Sequence, residues 1–241
     1  MKKIEKISVV MAAYNERGNV EELAIRINKI LKKLKIKFEI LYIIEGDDGS
    51  YESLCNLKRK IKQIKVYRPE KKGFGPAFKY GFQKISSDTT HVVTLDADLN
   101  HMPEELPRFI KGYKETGANI IIGSRLVEGA DVCKRPFIKQ FISELSNAVF
   151  PKVYGLDAKD ITSGYRFLEI DVVKAVYPKI ESVNFEFLAE FLVRAKKAGY
   201  TMREVPISFK PRIRGESKMD FFRTGFGYLK LTLKMVFVRY F

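Results

Sequence analysis

A chain of 241 residues with 46% hydrophobic residues can bury one substantial core, and its composition is neither collagenous, disordered nor repetitive. Its 44 lysines and arginines outweigh 29 aspartates and glutamates by a formal +15, which favours an anionic partner: nucleic acid, anionic lipid or a phosphorylated substrate. Two cysteines, Cys55 and Cys133, without metal-ligand spacing exclude a disulfide framework and point to a reducing compartment.

In chain order, the apolar run of MKKIEKISVVMAAYNE is too short and too soon polar for a secretory signal, so ISVVMAAY reads as a buried first strand. NVEELAIRINKILKKLK follows with Val20, Leu23, Ala24, Ile27, Ile30, Leu31 and Leu34 at helical spacing. FEILYIIEG and the short IKVYRPE are the second and third strands. GPAFKYGFQKIS reads as a helix and HVVTLDAD as a fourth strand. PEELPRFIKGYKETG is a helix with acids in its first turn and glycine after its end, and ANIIIGSR is another strand. Beyond residue 130, KRPFIKQFISELSNAVF and FEFLAEFLVRAKKAGY look helical, while TSGYRFLEI and TMREVPISF look extended.

Strands separated by helices imply an α/β fold, a Rossmann-like, mostly parallel sheet flanked by helices. Residues 1–220 then form one domain, and residues 221–241 a basic apolar tail. Arg223, Lys230 and Lys234 share a narrow face of that tail, which argues against a spanning helix and predicts an amphipathic, membrane-interfacial one. A terminal helix packed on the domain is the competing expectation.

Ligands bind such sheets beyond the carboxyl ends of the strands. Here acids cap three strands: Glu16 after the first, Asp47 and Asp48 after the second, Asp96 and Asp98 after the fourth. Two carboxylates set together repel and need a cation or a proton. A hard divalent cation holding a diphosphate is the economical answer, with Asn100 as a further oxygen ligand and His101 as a nitrogen alternative. Asp47-Asp48-Gly49-Ser50 also fits a plain turn with a helix N-cap at Ser50. His91 opens a strand and reads as structural.

MAAYNE, DDGS, KGFGPAFKYGF, DADLNHMPEELP, GSR, DITSGYRF and FKPRIRGESK, in this order, resemble the inverting family 2 glycosyltransferases, and most the branch typified by dolichol-phosphate mannose synthases. The similarity spans roughly residues 5 to 220. It implies a GT-A catalytic domain and a reaction in which a sugar, mannose from GDP-mannose by preference, passes to a polyprenyl or dolichyl phosphate. It implies donor contacts at Ala13, Tyr14, Glu16, Asp47, Asp96, Ala97, Asp98 and Asn100, with Mg2+ or Mn2+ at Asp96, Asp98 and Asn100. Arg125, Lys139 and Ser143 would hold the acceptor phosphate. Arg212 and Lys218 would close on the donor diphosphate, so Asp98, Arg125, Arg212 and Lys218 carry the catalysis. The chain departs from the pattern at Ala13, where proline is usual, at Glu45-Gly46, where apolar residues are usual, and at Lys139, where arginine is usual.

A phosphate monoester is already anionic at neutral pH and needs no general base, only desolvation, alignment and relief of like-charge repulsion. The resemblance therefore predicts that no glutamate is an essential base; Glu186 and Glu190 read as a solvated or site-facing pair. It places the protein peripherally on the cytoplasmic face of a membrane and leaves room for a membrane-embedded partner subunit. UDP-glucose or UDP-N-acetylhexosamine donors are the alternatives. So is a hydroxyl acceptor, which calls for an acid at a helix start after DITSGYR, where the sequence offers no clear candidate. A nucleic-acid-binding protein would interleave aromatics with lysines on an exposed face; here the aromatics lie in apolar helices and the ligand edge is acidic, so nucleic acid is not expected.

Overall fold

The computed structural model describes residues 2–133, 137–211, 225–228 and 230–232. Strand β1 (Lys6–Tyr14) leads through helix α1 (Arg17–Lys33) to β2 (Lys37–Glu45), and then through α2 (Ser50–Lys60) to β3 (Ile64–Tyr67). Helix α3 (Phe74–Gln83) returns the chain to β4 (His91–Thr94). A 3-10 turn at Pro103–Glu105 then leads into α4 (Leu106–Thr116) and β5 (Ile120–Ser124). The remainder is β6 (Asp131–Val132), α5 (Phe137–Tyr154), β7 (Arg166–Glu169), α6 (Ile170–Val176), α7 (Phe187–Lys197), β8 (Met202–Pro206) and β9 (Ser208–Phe209).

Seven strands form one sheet in the order β3-β2-β1-β4-β7-β5-β8, and β6 pairs with β9 in a second, two-stranded sheet. All neighbours in the large sheet are parallel except β7, which runs antiparallel to both β4 and β5. The chain winds outward from β1 to β3 and then crosses back to β4, so β1 and β4 flank the switch point where such sheets bind ligands.

Alternation along β1 explains the two layers. Ile7, Val9, Met11 and Ala13 face one core with Val20, Leu23 and Ala24 of α1, Leu54 of α2 and Phe109 of α4. Val10 faces the other core, with Phe78 and Phe82 of α3, Phe150 of α5, and α6 and α7. Helices thus cover both faces, as the sequence predicts. The sequence marks α2 only by a possible helix start at Ser50 and does not mark α6. α2 buries only Ser50 and Leu54, too narrow a stripe for a strong helical period. α6 starts directly after β7 with no intervening loop.

Residues 225–228 and 230–232 are helical, the rest of the tail lying outside the described residues. Tyr228 and Leu231 pack into the second core, with Tyr228 edge-on to Phe150 at 5.6 Å. Phe226 on the same segment is 68% exposed.

Candidate active site

The polar groups of the sheet gather beyond the carboxyl ends of β1, β2 and β4. At the β1 end Asn15 takes a left-handed φ of 54°, and its Oδ1 accepts the Asp47 amide at 3.1 Å, tying the first two strand ends together. Glu16 is buried; its amide donates to Ser50 Oγ at 3.1 Å and its Oε2 accepts Asn19 Nδ2 at 2.6 Å. Tyr14 is half exposed. The Ala13 and Ala97 side chains face the first core, leaving only backbone groups for a ligand.

The two aspartates after β2 divide the work. Asp48 accepts the Arg17 amide and both the amide and hydroxyl of Ser50. Burial pushes its pKa up, but these bonds more than offset it and hold the carboxyl below its usual value. Asp48 is thus the brace of a turn that Gly49 closes at a φ of 90°, and Gly49, not Ser50, is the residue that leads into α2. Asp47 is 90% exposed and meets Arg68 Nη1 at 2.9 Å, while the Arg68 guanidinium lies 4.7 Å above the Tyr51 ring. Sequence reasoning passed over Arg68; the strand-end rule applied to β3 would have found it. Glu45 accepts the Gly73 amide ahead of α3, and burial raises its pKa.

Asp96 and Asp98 follow β4 directly. The Asp96 side chain is one-third exposed, and its Oδ2 lies 3.5 Å from His101 Nδ1. His101 is buried between Tyr165 and Phe209, so it backs Asp96 rather than facing outward. Asp98 Oδ1 accepts the Asn100 amide at 3.0 Å across Leu99, whose φ is 63°. Asn100 Nδ2 donates to the Lys210 carbonyl at 2.5 Å, and the Lys210 amide donates back to Asn100. Asn100 thereby ties this turn to the chain just past β9. Gly164 abuts Asp96: a Cβ there would stand 2.7 Å from Asp96 Oδ1.

A second constellation lies beside the first. Arg125, one residue past β5, makes a two-pronged pair with Asp160, Nε to Oδ2 at 2.8 Å and Nη2 to Oδ1 at 2.7 Å. Nη2 also donates to Thr162 Oγ1 at 2.7 Å, and Thr162 meets Ser143 Oγ of α5 at 2.8 Å. Burial raises the Asp160 pKa, but the Arg125 charge and hydrogen bonds outweigh it and hold the carboxyl low. Arg166 is buried behind this knot, donating to the Ser163 and Ile161 carbonyls, and burial lowers its pKa to about 10. Electrostatic contact between Arg125 and Asp96 joins the two constellations. The Lys139 side chain, Arg212 and Lys218 lie outside the described residues.

Contrary to the solvated arm of the expectation, Glu186 and Glu190 are both buried. Glu190 holds Arg194 and the amides of Glu181 and Ser182. Glu186 is the acid at a helix start after DITSGYR that the sequence reading did not find. Its Oε1 accepts the Val183 and Asn184 amides, and its Oε2, buried without a hydrogen-bond partner, lies under Gly227. Tyr228, which interacts electrostatically with Glu186, does so also with Arg125 and Asp160 of the second constellation. His91 is structural as read: fully buried, stacked on Phe167, its pKa lowered to about 4 by burial.

The family model for glycosyl transferase family 2 matches residues 8–176. The chain is 36% identical over 230 residues to a dolichol-phosphate mannosyltransferase of Pyrococcus furiosus, covering 93% of this chain and 62% of that one. The chain thus spans less than two-thirds of that relative. It is 29% identical to a polyprenol monophosphomannose synthase of Mycolicibacterium smegmatis, covering 90% of this chain and 82% of that one. Among solved structures, mannosyl-3-phosphoglycerate synthase of Rubrobacter xylanophilus superposes with a TM-score of 0.69 at 12% identity, covering 98% and 75% of the two chains. Glucosyl-3-phosphoglycerate synthase of Mycobacterium tuberculosis, solved with Mn2+, UDP-glucose and glycerol 3-phosphate, superposes at 0.65 with 15% identity, covering 96% and 79%. These structural likenesses carry the fold alone, and it is the GT-A fold expected from the sequence.

Proposed function

The chain belongs to glycosyl transferase family 2, and on that premise we propose that it transfers mannose from GDP-mannose to a polyprenyl or dolichyl phosphate, with inversion of the anomeric centre. One observation carries the reading: the DITSGYR turn touches both constellations. Thr162 bonds Arg125 while Gly164 presses on Asp96. A carboxylate pair suited to a donor diphosphate thus stands beside an arginine-centred group suited to an anionic acceptor. The names of the P. furiosus and M. smegmatis relatives support the same substrates.

The donor set fits a hard cation. Asp96 and Asp98 offer oxygens only, and among the described residues no cluster of three or more His, Cys, Asp or Glu side chains completes a protein cage. That leaves coordination positions for phosphate and water, the habit of Mg2+ and Mn2+. Asp96, Asp98 and Asn100 would hold such an ion, which supplies charge neutralisation for the departing nucleoside diphosphate. Arg125 and Ser143 orient the acceptor phosphate, and the acceptor oxygen attacks without a protein base because it is already ionised. Glu186, buried and holding the Val183 and Asn184 amides, is not needed as a base in that step.

The acceptor reading calls for a membrane surface. Among the described residues no helix is long and apolar enough to cross a membrane. Leu145 and Val149 on α5 and Phe226 on the tail segment are exposed apolar side chains on a chain of charge +15. They support peripheral attachment to the cytoplasmic leaflet.

The test is transfer of radiolabelled sugar to extractable lipid by purified protein with Mg2+ or Mn2+, comparing GDP-mannose, UDP-glucose and UDP-N-acetylglucosamine. Lipid label from GDP-mannose alone, lost with EDTA, is expected. Label from a UDP-sugar, or on a hydroxyl acceptor, would replace this reading. Activity confined to membrane preparations would point to a membrane-embedded partner subunit.

A further inference from the structure

Strand β8 ends in Glu204-Val205-Pro206, which the sequence reads only as strand. In the fold the Glu204 carboxylate accepts the backbone amides of both Lys159 and Asp160, each at 2.8 Å. The next amide, of Ile161, donates to Asn147 Oδ1 of α5 at 2.9 Å. Three consecutive peptide N–H groups, in a segment that belongs to no strand, are held by side chains from two different elements. These bonds, exposed at Lys159 and partly buried at Asp160 and Ile161, fix the path of the chain.

The consequence falls on Asp160, which is fully buried. Fixing the peptides on either side of Asp160 fixes its carboxylate, and that carboxylate sets the plane of the Arg125 guanidinium by the two-pronged pair. Asn147 meanwhile stands four residues after Ser143, which itself stands four residues after Lys139, so all three positions share one face of α5. Glu204 and Asn147 together therefore set the separation between the end of β5 and that face of α5.

We propose that Glu204 and Asn147 are positioning residues for the acceptor phosphate, holding residues 159–161 so that Arg125 and Ser143 stand at the separation one phosphate monoester requires. This rests on the proposed acceptor role of Arg125. Both act through other residues: Glu204 through the peptides of Lys159 and Asp160, and Asn147 through Ile161, Asp160, Thr162 and Ser143.

The experiment is steady-state transfer from GDP-mannose to polyprenyl phosphate by the full chain, with each substrate varied in turn. Wild type is compared with Glu204→Gln, Asn147→Asp and Arg125→Lys, each also melted. Glu204→Gln keeps shape but turns an amide donor toward one of the two peptide N–H groups. The acceptor KM should rise about five- to tenfold, the worth of one hydrogen bond, while the donor KM stays at the wild-type value. A fall in melting temperature with both KM values unmoved would make Glu204 merely structural and overturn the proposal. An acceptor KM raised in Arg125→Lys but not in Glu204→Gln would overturn the positioning role and leave Arg125 in place. An acceptor KM unmoved in Arg125→Lys would overturn the acceptor site itself. Should Glu204→Gln not fold, Asn147→Asp decides: it keeps the oxygen facing Ile161, loses the donor facing Ser143, Thr162 and Asp160 and sets a carboxylate against Asp160, so an unchanged acceptor KM would end the proposal.

Discussion

The edge formed by Asp47, Asp96 and Asp98 and the knot formed by Arg125, Asp160, Thr162 and Ser143 lie side by side, yet they handle charge in opposite ways. At the edge, two of the three carboxylates reach solvent, Asp47 at 90% exposed and Asp96 at one-third, while Asp98 is buried beside them and holds the Asn100 amide. In the knot, Asp160 is fully buried and the Arg125 side chain is 9% exposed, each the other's counter-ion. The difference separates two uses of charge. Exposed acids at a strand end are available to an incoming cation and diphosphate. A buried pair first serves the fold, and presents to a ligand only what its internal partner leaves over.

Breaking the edge should cost activity and spare the fold. Asp98→Ala is expected to lower transfer roughly a thousandfold, the several kcal/mol that a held metal supplies, with a stability loss of only about 1–3 kcal/mol from the lost bond to the Asn100 amide. Breaking the knot should do the reverse first: Arg125→Ala leaves the Asp160 carboxylate buried and unpaired, and calorimetry should read a loss of about 3–5 kcal/mol. A smaller effect separates the knot from the other end of the sheet by pH. His91, its pKa lowered to about 4, stays neutral in the fold while the unfolded chain binds a proton near the ordinary 6.5. Stability should therefore be complete above pH 6.5 and fall by at most about 2–3 kcal/mol as pH drops to 4. Asp160, its pKa held below the ordinary 3.8, loses its contribution only in stronger acid. Denaturant midpoints at pH 7 and pH 4.5 should converge in a His91→Phe variant and not in Arg125→Lys. Gly164→Ala tests the seam, since its Cβ must displace Asp96; about a tenfold loss of kcat is expected with stability within about 1 kcal/mol. Last, Glu186→Gln should change transfer to polyprenyl phosphate by less than about threefold, because an acceptor phosphate that is already ionised needs no proton taken from it.

The edge was legible in the sequence because its signal is local. Apolar runs that stop at Asp96 and Asp98, or at Asp47, mark strand ends, and strand ends in parallel sheets bind ligands. The knot was legible only in part. Arg125 and Ser143 carried the right chemistry, but Arg125 meets a carboxylate 35 positions away, and no periodicity announces such a pairing. The antiparallel course of β7 was hidden for the same reason, since Arg-Phe-Leu-Glu reads alike in either direction. Burial also escaped the sequence at Glu186 and Glu190, where charge suggested solvent and the fold supplied backbone amides instead. The turn at Asp47-Asp48-Gly49-Ser50 was legible, but which aspartate braces it and which meets Arg68 was not, since that depends on contacts with Arg17 and Arg68 far along the chain.

The measurement that bears most directly on the account is lipid-extractable label from GDP-[14C]mannose and polyprenyl phosphate, run with wild type and Asp98→Ala side by side in Mg2+ or Mn2+. The account predicts label in the lipid phase for wild type and its near-complete loss in Asp98→Ala, with both proteins equally folded. Equal labelling by the two proteins would contradict it, and would take the Asp96/Asp98 edge out of the reaction.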